Sequence, residues 1–150
     1  MDLIERSVIS ALTRDHRQIE ERLARLQGAT DPEERRRLLG EVTTEIVQHA
    51  DAEDRYLYRV VREAIPRGAI DIAVDVEKQI EAHAKVKAMV EGLERIDVTG
   101  GEFERLVTEL AAEIHQNIVD EEHSVFAWLV QWVDESTLAE LGDEVQTLRN

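Results

Sequence analysis

Residues 39–60 read LGEVTTEIVQHADAEDRYLYRV, and the spacing within this stretch decides the fold. Apolar residues recur three and four apart at Leu39, Val42 and Ile46, and the same steps continue through His49, Glu53, Tyr56 and Val60. This is the period of an α-helix with one inward face. The stripe is apolar except at its middle, where a histidine and a glutamate stand one helical turn apart. A carboxylate on an inward face is costly unless it is protonated, hydrated or held by a cation, so the same stretch also poses the functional question.

The flanking chain has the same character. Punctuation falls at Gly28–Pro32, Pro66–Gly68, Thr99–Gly101 and, more weakly, Asp134–Thr137. The segments between carry helical periodicity, and no β-branched runs bounded by turns are present. Helices are expected over about 3–27, 33–64, 70–97 and 102–133, followed by a short C-terminal one. Short connections make neighbours antiparallel, which predicts an all-α, up-down-up-down four-helix bundle forming a single domain over 1–150. The mixed run Glu33-Glu34-Arg35-Arg36-Arg37 reads as a solvated face with intrahelical ion pairs.

The chain has 150 residues, 43% of them apolar, enough for one domain with a sizeable core. Its net charge of −15 disfavours nucleic acid and anionic membrane surfaces as partners. With no cysteine, disulfides, thiolate metal sites and a cysteine nucleophile are excluded. MDLIERSVIS lacks the basic start and apolar run of a signal peptide, and no stretch has the ~18 uncharged apolar residues of a membrane span, so a cytoplasmic location is expected. No serine lies in a nucleophile-elbow context, which leaves a Ser-His-Asp hydrolase unsupported.

The other inward stripes also lose their apolar character near the middle. In the first segment Val8, Leu12, Ile19, Leu23 and Leu26 are interrupted by His16. In the third, Val76, Ile80, Val86, Val90 and Leu93 are interrupted by His83. In the fourth, Phe103, Val107, Leu110, Ile114, Val125 and Trp128 are interrupted by Asn117 and Glu121. Each interruption lies at a similar depth along its helix, so antiparallel packing gathers them into one layer. The chain also repeats itself: His83 follows His16 by 67 positions, while Asn117 and Glu121 follow His49 and Glu53 by 68. This duplication predicts a pseudo-two-fold site with a ligand set from each half.

Taken singly, His16 or His83 reads as an ordinary hydrogen-bonded core histidine, and Glu53 as a surface residue. Their common depth and duplicated spacing favour a metal instead. No arginine on these stripes neutralises Glu53 and Glu121, and His49 and Glu53 reach the same ion or two adjacent ones. Imidazole suits zinc, copper, iron and nickel, carboxylates bridge metal pairs, and the lack of thiolates disfavours structural zinc. The set points to non-haem iron.

Asp15-His16, His49-Ala-Asp-Ala-Glu53, Glu81-Ala-His83 and Asp120-Glu121-Glu122 before Val125-Phe126, with Leu138-Ala-Glu-Leu141-Gly142 behind them, resemble the hemerythrin-like (HHE) cation-binding domain over nearly the whole chain. The resemblance implies a four-helix bundle with a carboxylate-bridged di-iron centre that binds, senses or reduces dioxygen, peroxide or nitric oxide, or handles iron. Glu53 and Glu121 would bridge, and His16, His49 and His83 would hold the irons, with an open position for a small ligand. Catalase-like peroxide breakdown is one activity this implies. The sequence departs from the family where Asn117 replaces the first residue of His-x-x-x-Glu, and where Lys87 replaces the second histidine of an oxygen carrier. Reversible oxygen carriage is therefore not expected.

Three residues remain as further candidates near the vacancy. Asn117 offers an amide. Tyr56, one turn from Glu53, is either a phenolate ligand or plain core filling. His115 lies about 100° off the inward stripe and needs a local bulge to reach it. His123 lies off the stripe, and Asp51, Asp54, Asp120 and Glu122 read as solvated groups or as supports for the ligands. The alternative function is a degenerate bundle, either mononuclear or a metal-free interaction module. A ferritin-like oxidase is ranked last, because that class uses Glu-x-x-His.

Overall fold

A computed structural model describes residues 2–149, with side chains through Thr147. Its regular elements are all helical, with no strand among the described residues. The N-terminal rod expected over 3–27 is two helices. Asp2 caps α1 (Leu3–Arg6), accepting from the Glu5 amide at 2.9 Å, and the chain then turns at Ser7 (ψ 143°). The Ser7 hydroxyl accepts from the Ile9 amide and starts α2 (Val8–Gly28). Asp31 caps α3 (Pro32–Ala52), which has proline in its first turn and Glu33 and Glu34 beside its positive end. A π-helical turn, Glu53–Leu57, leads into α4 (Tyr58–Ala64). Gly68, at φ +92°, makes the turn to α5 (Ile70–Glu94), a conformation that few other residues adopt cheaply.

The rod expected over 102–133 is also broken. α6 (Gly101–His123) ends at Ser124, whose φ of −112° and ψ of −76° bend the chain before α7 (Val125–Trp132). The Ser124 hydroxyl donates to the Asp120 carbonyl at 2.6 Å, a back-bond of the kind that bends helices. α8 (Glu135–Arg149) completes the chain.

The core forms two apolar clusters. One gathers Ile19, Leu23 and Leu26 with Leu39, Val42 and Ile46, Val86 and Val90, and Phe103 through Ile118. The other gathers Val8 and Leu12 with Leu57, Tyr58 and Val61, Ile72 and Val76, Val125 through Leu129, and the inner face of α8. The chain passes from the second cluster to the first along α2, back along α3 and α4, out again along α5, and back along α6 and α7. At each crossing it leaves a polar residue between the clusters.

Both ends of this stack are tied by polar contacts. Arg35 does not join the solvated face expected for it. It is 6% exposed, lies over the Phe103 ring, and donates to the Ala29 and Val98 carbonyls at 2.8 and 2.6 Å, joining two loops. At the other end α8 lies against the α1–α2 junction, with Arg6 paired to Asp143 at 2.7 Å. Gly142 permits that approach, because a Cβ there would stand 2.0 Å from the Arg6 carbonyl oxygen and 3.0 Å from the Val8 nitrogen. Gly142→Ala is therefore expected to lower stability by about 1–3 kcal/mol, read as a shifted denaturant midpoint. A midpoint at or above that of the wild type would contradict this packing.

Candidate metal centre

Five side chains occupy the layer between the clusters. His16 comes from α2, His49 from α3, Glu53 from the first residue of the π turn, His83 from α5 and Glu121 from the last turn of α6. One ligand atom from each of His16, His49, Glu53 and Glu121 lies within 4.8 Å of the others, and all four residues are buried. His83 stands beside this group, its Nε2 3.7 Å from Glu53 Oε1.

Each imidazole is held from outside by a carboxylate on Nδ1: His16 by Glu122 at 2.7 Å, His49 by Asp15 at 3.1 Å and His83 by Asp54 at 3.1 Å. A carboxylate only accepts, so Nδ1 carries the proton and Nε2 is the atom left to coordinate. Arg17 grips Glu122 in turn at 2.7 and 2.9 Å. His16 Nε2 lies 3.2 Å from Glu121 Oε1. His49 Nε2 is buried without a hydrogen-bond partner, although Glu53 Oε1 is 2.5 Å away. An imidazole lone pair facing a carboxylate oxygen is an arrangement that a shared cation relieves, and the nitrogen and oxygen donor set suits iron.

The duplication seen in the sequence has a geometric counterpart. His16 meets Glu121 and Glu122 and stacks on Phe126, with ring centroids 5.6 Å apart. His83 meets Glu53 and Asp54 and stacks on Tyr58 at 5.7 Å. In both halves the helix changes course just after the glutamate, by the π turn at Glu53 and by the bend at Ser124. The halves differ at one pair of positions. Asp15 and His49 are joined in the first, and the matching positions of the second carry Ala82 and Asn117.

The hemerythrin HHE cation-binding domain model matches residues 7–129. The chain belongs to this family. It is also 24% identical over 126 residues to a DNA nickase of Nostoc sp. (strain PCC 7120 / SAG 25.82 / UTEX 2576), an alignment that covers 84% of this chain and 34% of that protein. The chain thus spans about a third of that relative's length. No solved structure gives a significant match.

Within this HHE domain Asn117 lines the same central cavity as His16, His49, Glu53 and Glu121. His115 faces solvent, 65% exposed and 3.8 Å from Glu20, because α6 makes no bulge that would turn it inward. His123 is exposed, with Nδ1 2.8 Å from the Val119 carbonyl oxygen. Tyr56 requires correction. The π turn adds a residue to the helical repeat, so Tyr56 is only partly buried and Tyr58 fills the inward position. The Tyr58 hydroxyl donates a short hydrogen bond to Glu121 and lies 3.3 Å from Glu53. Burial, together with the two glutamate charges, raises its pKa well above the usual tyrosine value, so it stays a phenol. An exact alternation of three- and four-residue steps back from Leu93 also brings Gln79, rather than Ile80, to the buried face of α5.

Two glutamates this close cannot both ionise without a cation. Burial, then Glu121 through its charge and hydrogen bond, raises Glu53 well above the usual carboxylate range. Burial also works against ionised Glu121, but hydrogen bonds from Glu53 and His16 outweigh it and hold Glu121 low. Burial pulls His16 and His83 down, and their carboxylate partners outweigh that and raise both above 6.5.

The signs for the metal-free chain follow. Raised histidines stabilise the fold below their unfolded value of 6.5 and lose that contribution as pH rises through their folded values. Glu53, raised well above 4.5, costs stability that grows as pH rises from 4.5 toward its folded value, whereas lowered Glu121 weakens the fold only in acid. The chelator-treated protein should therefore lose thermal stability as pH rises above the unfolded histidine value of 6.5, and a divalent cation should restore more stability at the higher pH. Melting temperatures across this range test it, and a flat or rising metal-free profile contradicts it.

Proposed function

We propose that this HHE domain is a non-haem iron protein that binds a small oxidant: dioxygen, peroxide or nitric oxide. The observation that carries this reading is the buried group of two imidazoles and two carboxylates within 4.8 Å, with His49 Nε2 left without a hydrogen bond. His16, His49, Glu53 and Glu121 would hold the first iron, and His83 with shared Glu53 would form the weaker second position. Bound iron supplies a Lewis-acidic, redox-active centre with room for an exogenous ligand. The chain's own residues fix the imidazoles through Nδ1, keep a phenol proton on Tyr58 and exclude bulk water with two apolar clusters. Alternate passage of the chain between those clusters supports an up-down-up-down bundle.

A cytoplasmic setting and peroxide breakdown of the catalase type belong to the same proposal. Nicking of DNA is not carried over from the relative. The alignment covers a third of that protein, and a chain of net charge −15 repels a phosphate backbone.

One observation favours a second reading, in which the domain is effectively mononuclear. The Asp15–His49 pair has Ala82 and Asn117 as its counterpart, so the second half lacks both a nitrogen donor and the carboxylate that would orient it. Elemental analysis separates the two: near two irons per chain supports the di-iron form, and near one supports the mononuclear form.

His49→Ala and Glu53→Gln are each expected to cut iron content by about 10-fold or more at limiting metal and to abolish the ligand-to-metal absorption. Unchanged content and spectrum in both would remove the assignment. Asn117→His combined with Ala82→Asp should raise the iron count, measured by the same analysis.

A further inference from the structure

The matching histidines of the two halves sit in different sequence settings. The first reads Asp15-His16-Arg17, and the positions 67 later read Ala82-His83-Ala84. Asp15 has a task, since it holds His49 across the layer. Arg17 lies outside the layer with its side chain 54% exposed, and the duplicated architecture does not require it, because alanine serves at the matching place.

Arg17 ends a chain of contacts that begins at the centre. His16 Nδ1 lies 2.7 Å from Glu122 Oε2, and Arg17 Nη2 donates to both Glu122 oxygens, at 2.7 and 2.9 Å. Nη1 of the same guanidinium donates to Glu20 Oε1 at 3.2 Å, so the arginine is anchored on α2, the helix that carries His16. Glu122 comes from α6 and is 22% exposed, so water competes for its oxygens and an unclamped carboxylate there is free to turn outward. The other half shows the arrangement without a clamp. Asp54 faces His83 at 3.1 Å, is 34% exposed and has no arginine or lysine partner among the described residues. The unclamped contact is the longer of the two.

We propose that Arg17 is a positioning residue for the metal centre: by clamping Glu122 it fixes the His16 ring with Nε2 aimed at the cation, and so raises the affinity of the centre from outside the layer. This rests on the metal-centre reading above and adds a residue that tunes it. Charge alone predicts the opposite sign. Arg17 is a positive charge near a cation site on a chain of net charge −15, so its removal would strengthen cation binding if Coulomb attraction were all that mattered. A loss of affinity on removal therefore marks positioning. An exposed ion pair of this kind contributes little to folding, so the effect belongs to the bound state.

The experiment titrates cobalt(II) into metal-free wild type, Arg17→Ala, Arg17→Lys, Glu122→Ala and the Arg17→Ala/Glu122→Ala double variant, following ligand-field absorption, with metal-free melting temperatures alongside. Arg25→Ala is the control for charge, since Arg25 is an exposed partner of Glu21 on the same helix. Arg17→Ala is expected to lose about 10-fold in cobalt affinity. Arg17→Lys should recover most of that loss, because one ammonium still spans both carboxylate oxygens, and Arg25→Ala should lose none. In the Glu122→Ala background Arg17→Ala should add no further loss, as nothing is left to clamp. Cobalt affinity of Arg17→Ala within about two-fold of wild type, or above it, overturns the proposal, and so does a full further loss in the Glu122→Ala background. A metal-free melting temperature lowered by more than about 5 °C in Arg17→Ala also overturns it, by making the arginine structural. A wild-type chain that binds no cobalt overturns the metal centre and the role of Arg17 together.

Discussion

The structure depends on keeping two carboxylates and three imidazoles out of water at the waist of a helical stack. Desolvation is the largest influence on the protonation of His16, Glu53, His83 and Glu121 alike. A site of this kind needs dry walls above and below, and the two apolar clusters supply them. It also needs polar partners that do not compete for the coordinating atoms. Asp15, Asp54 and Glu122 meet that need by approaching each ring from its outer nitrogen. The interior of the layer is thereby left rich in acceptors, which is tolerable with protons in the metal-free chain and better satisfied with a cation.

The two irregularities of the long rods sit where this demand is greatest. A π turn carries a helix through one extra residue and commonly marks a functional position. Here it lets Glu53 and Tyr58, five apart, both face inward, so that one helix supplies a carboxylate and the phenol hydrogen-bonded within the glutamate pair. The bend at Ser124 seats Phe126 beneath His16 with nearly parallel rings, 3° apart. Regular helices would carry both aromatics off the inward face. Each imidazole of the symmetric pair thus has a carboxylate on either nitrogen side and an aromatic face under it.

The regular parts of this design are legible in sequence and the irregular parts are not. Steps of three and four place His16, His49, Glu53 and Glu121 on buried faces because the turns leading up to each are ordinary α-helix, and the 67- and 68-residue repeat fixes their common depth. The same steps carried past Glu53 lead to Tyr56, since nothing in Glu-Asp-Arg-Tyr-Leu announces an extra residue in the turn. Ser7 and Ser124 break the outer rods without glycine or proline, so those breaks leave little trace in composition. Gln79 is hidden for a different reason. A stripe chosen by hydrophobicity takes Ile80 next door, while strict spacing from Leu93 takes Gln79. Arg35 sits in a charged run that reads as surface, and its burial depends on loop carbonyls brought together only by the fold.

The departure from two-fold symmetry is itself consistent physically. Had the second half kept an aspartate at position 82 while losing the histidine at 117, that carboxylate would have faced a neutral amide in place of an imidazole N–H, with part of its desolvation left uncompensated. With Ala82 and Asn117 both present, no such carboxylate is left facing the amide, and the half-site is quiet rather than frustrated. The same half carries Gln79, which lines the central cavity, where the first carries Leu12 of the apolar cluster. The two halves of the duplicated unit thus bring unequal sets of polar side chains to one layer and one cavity.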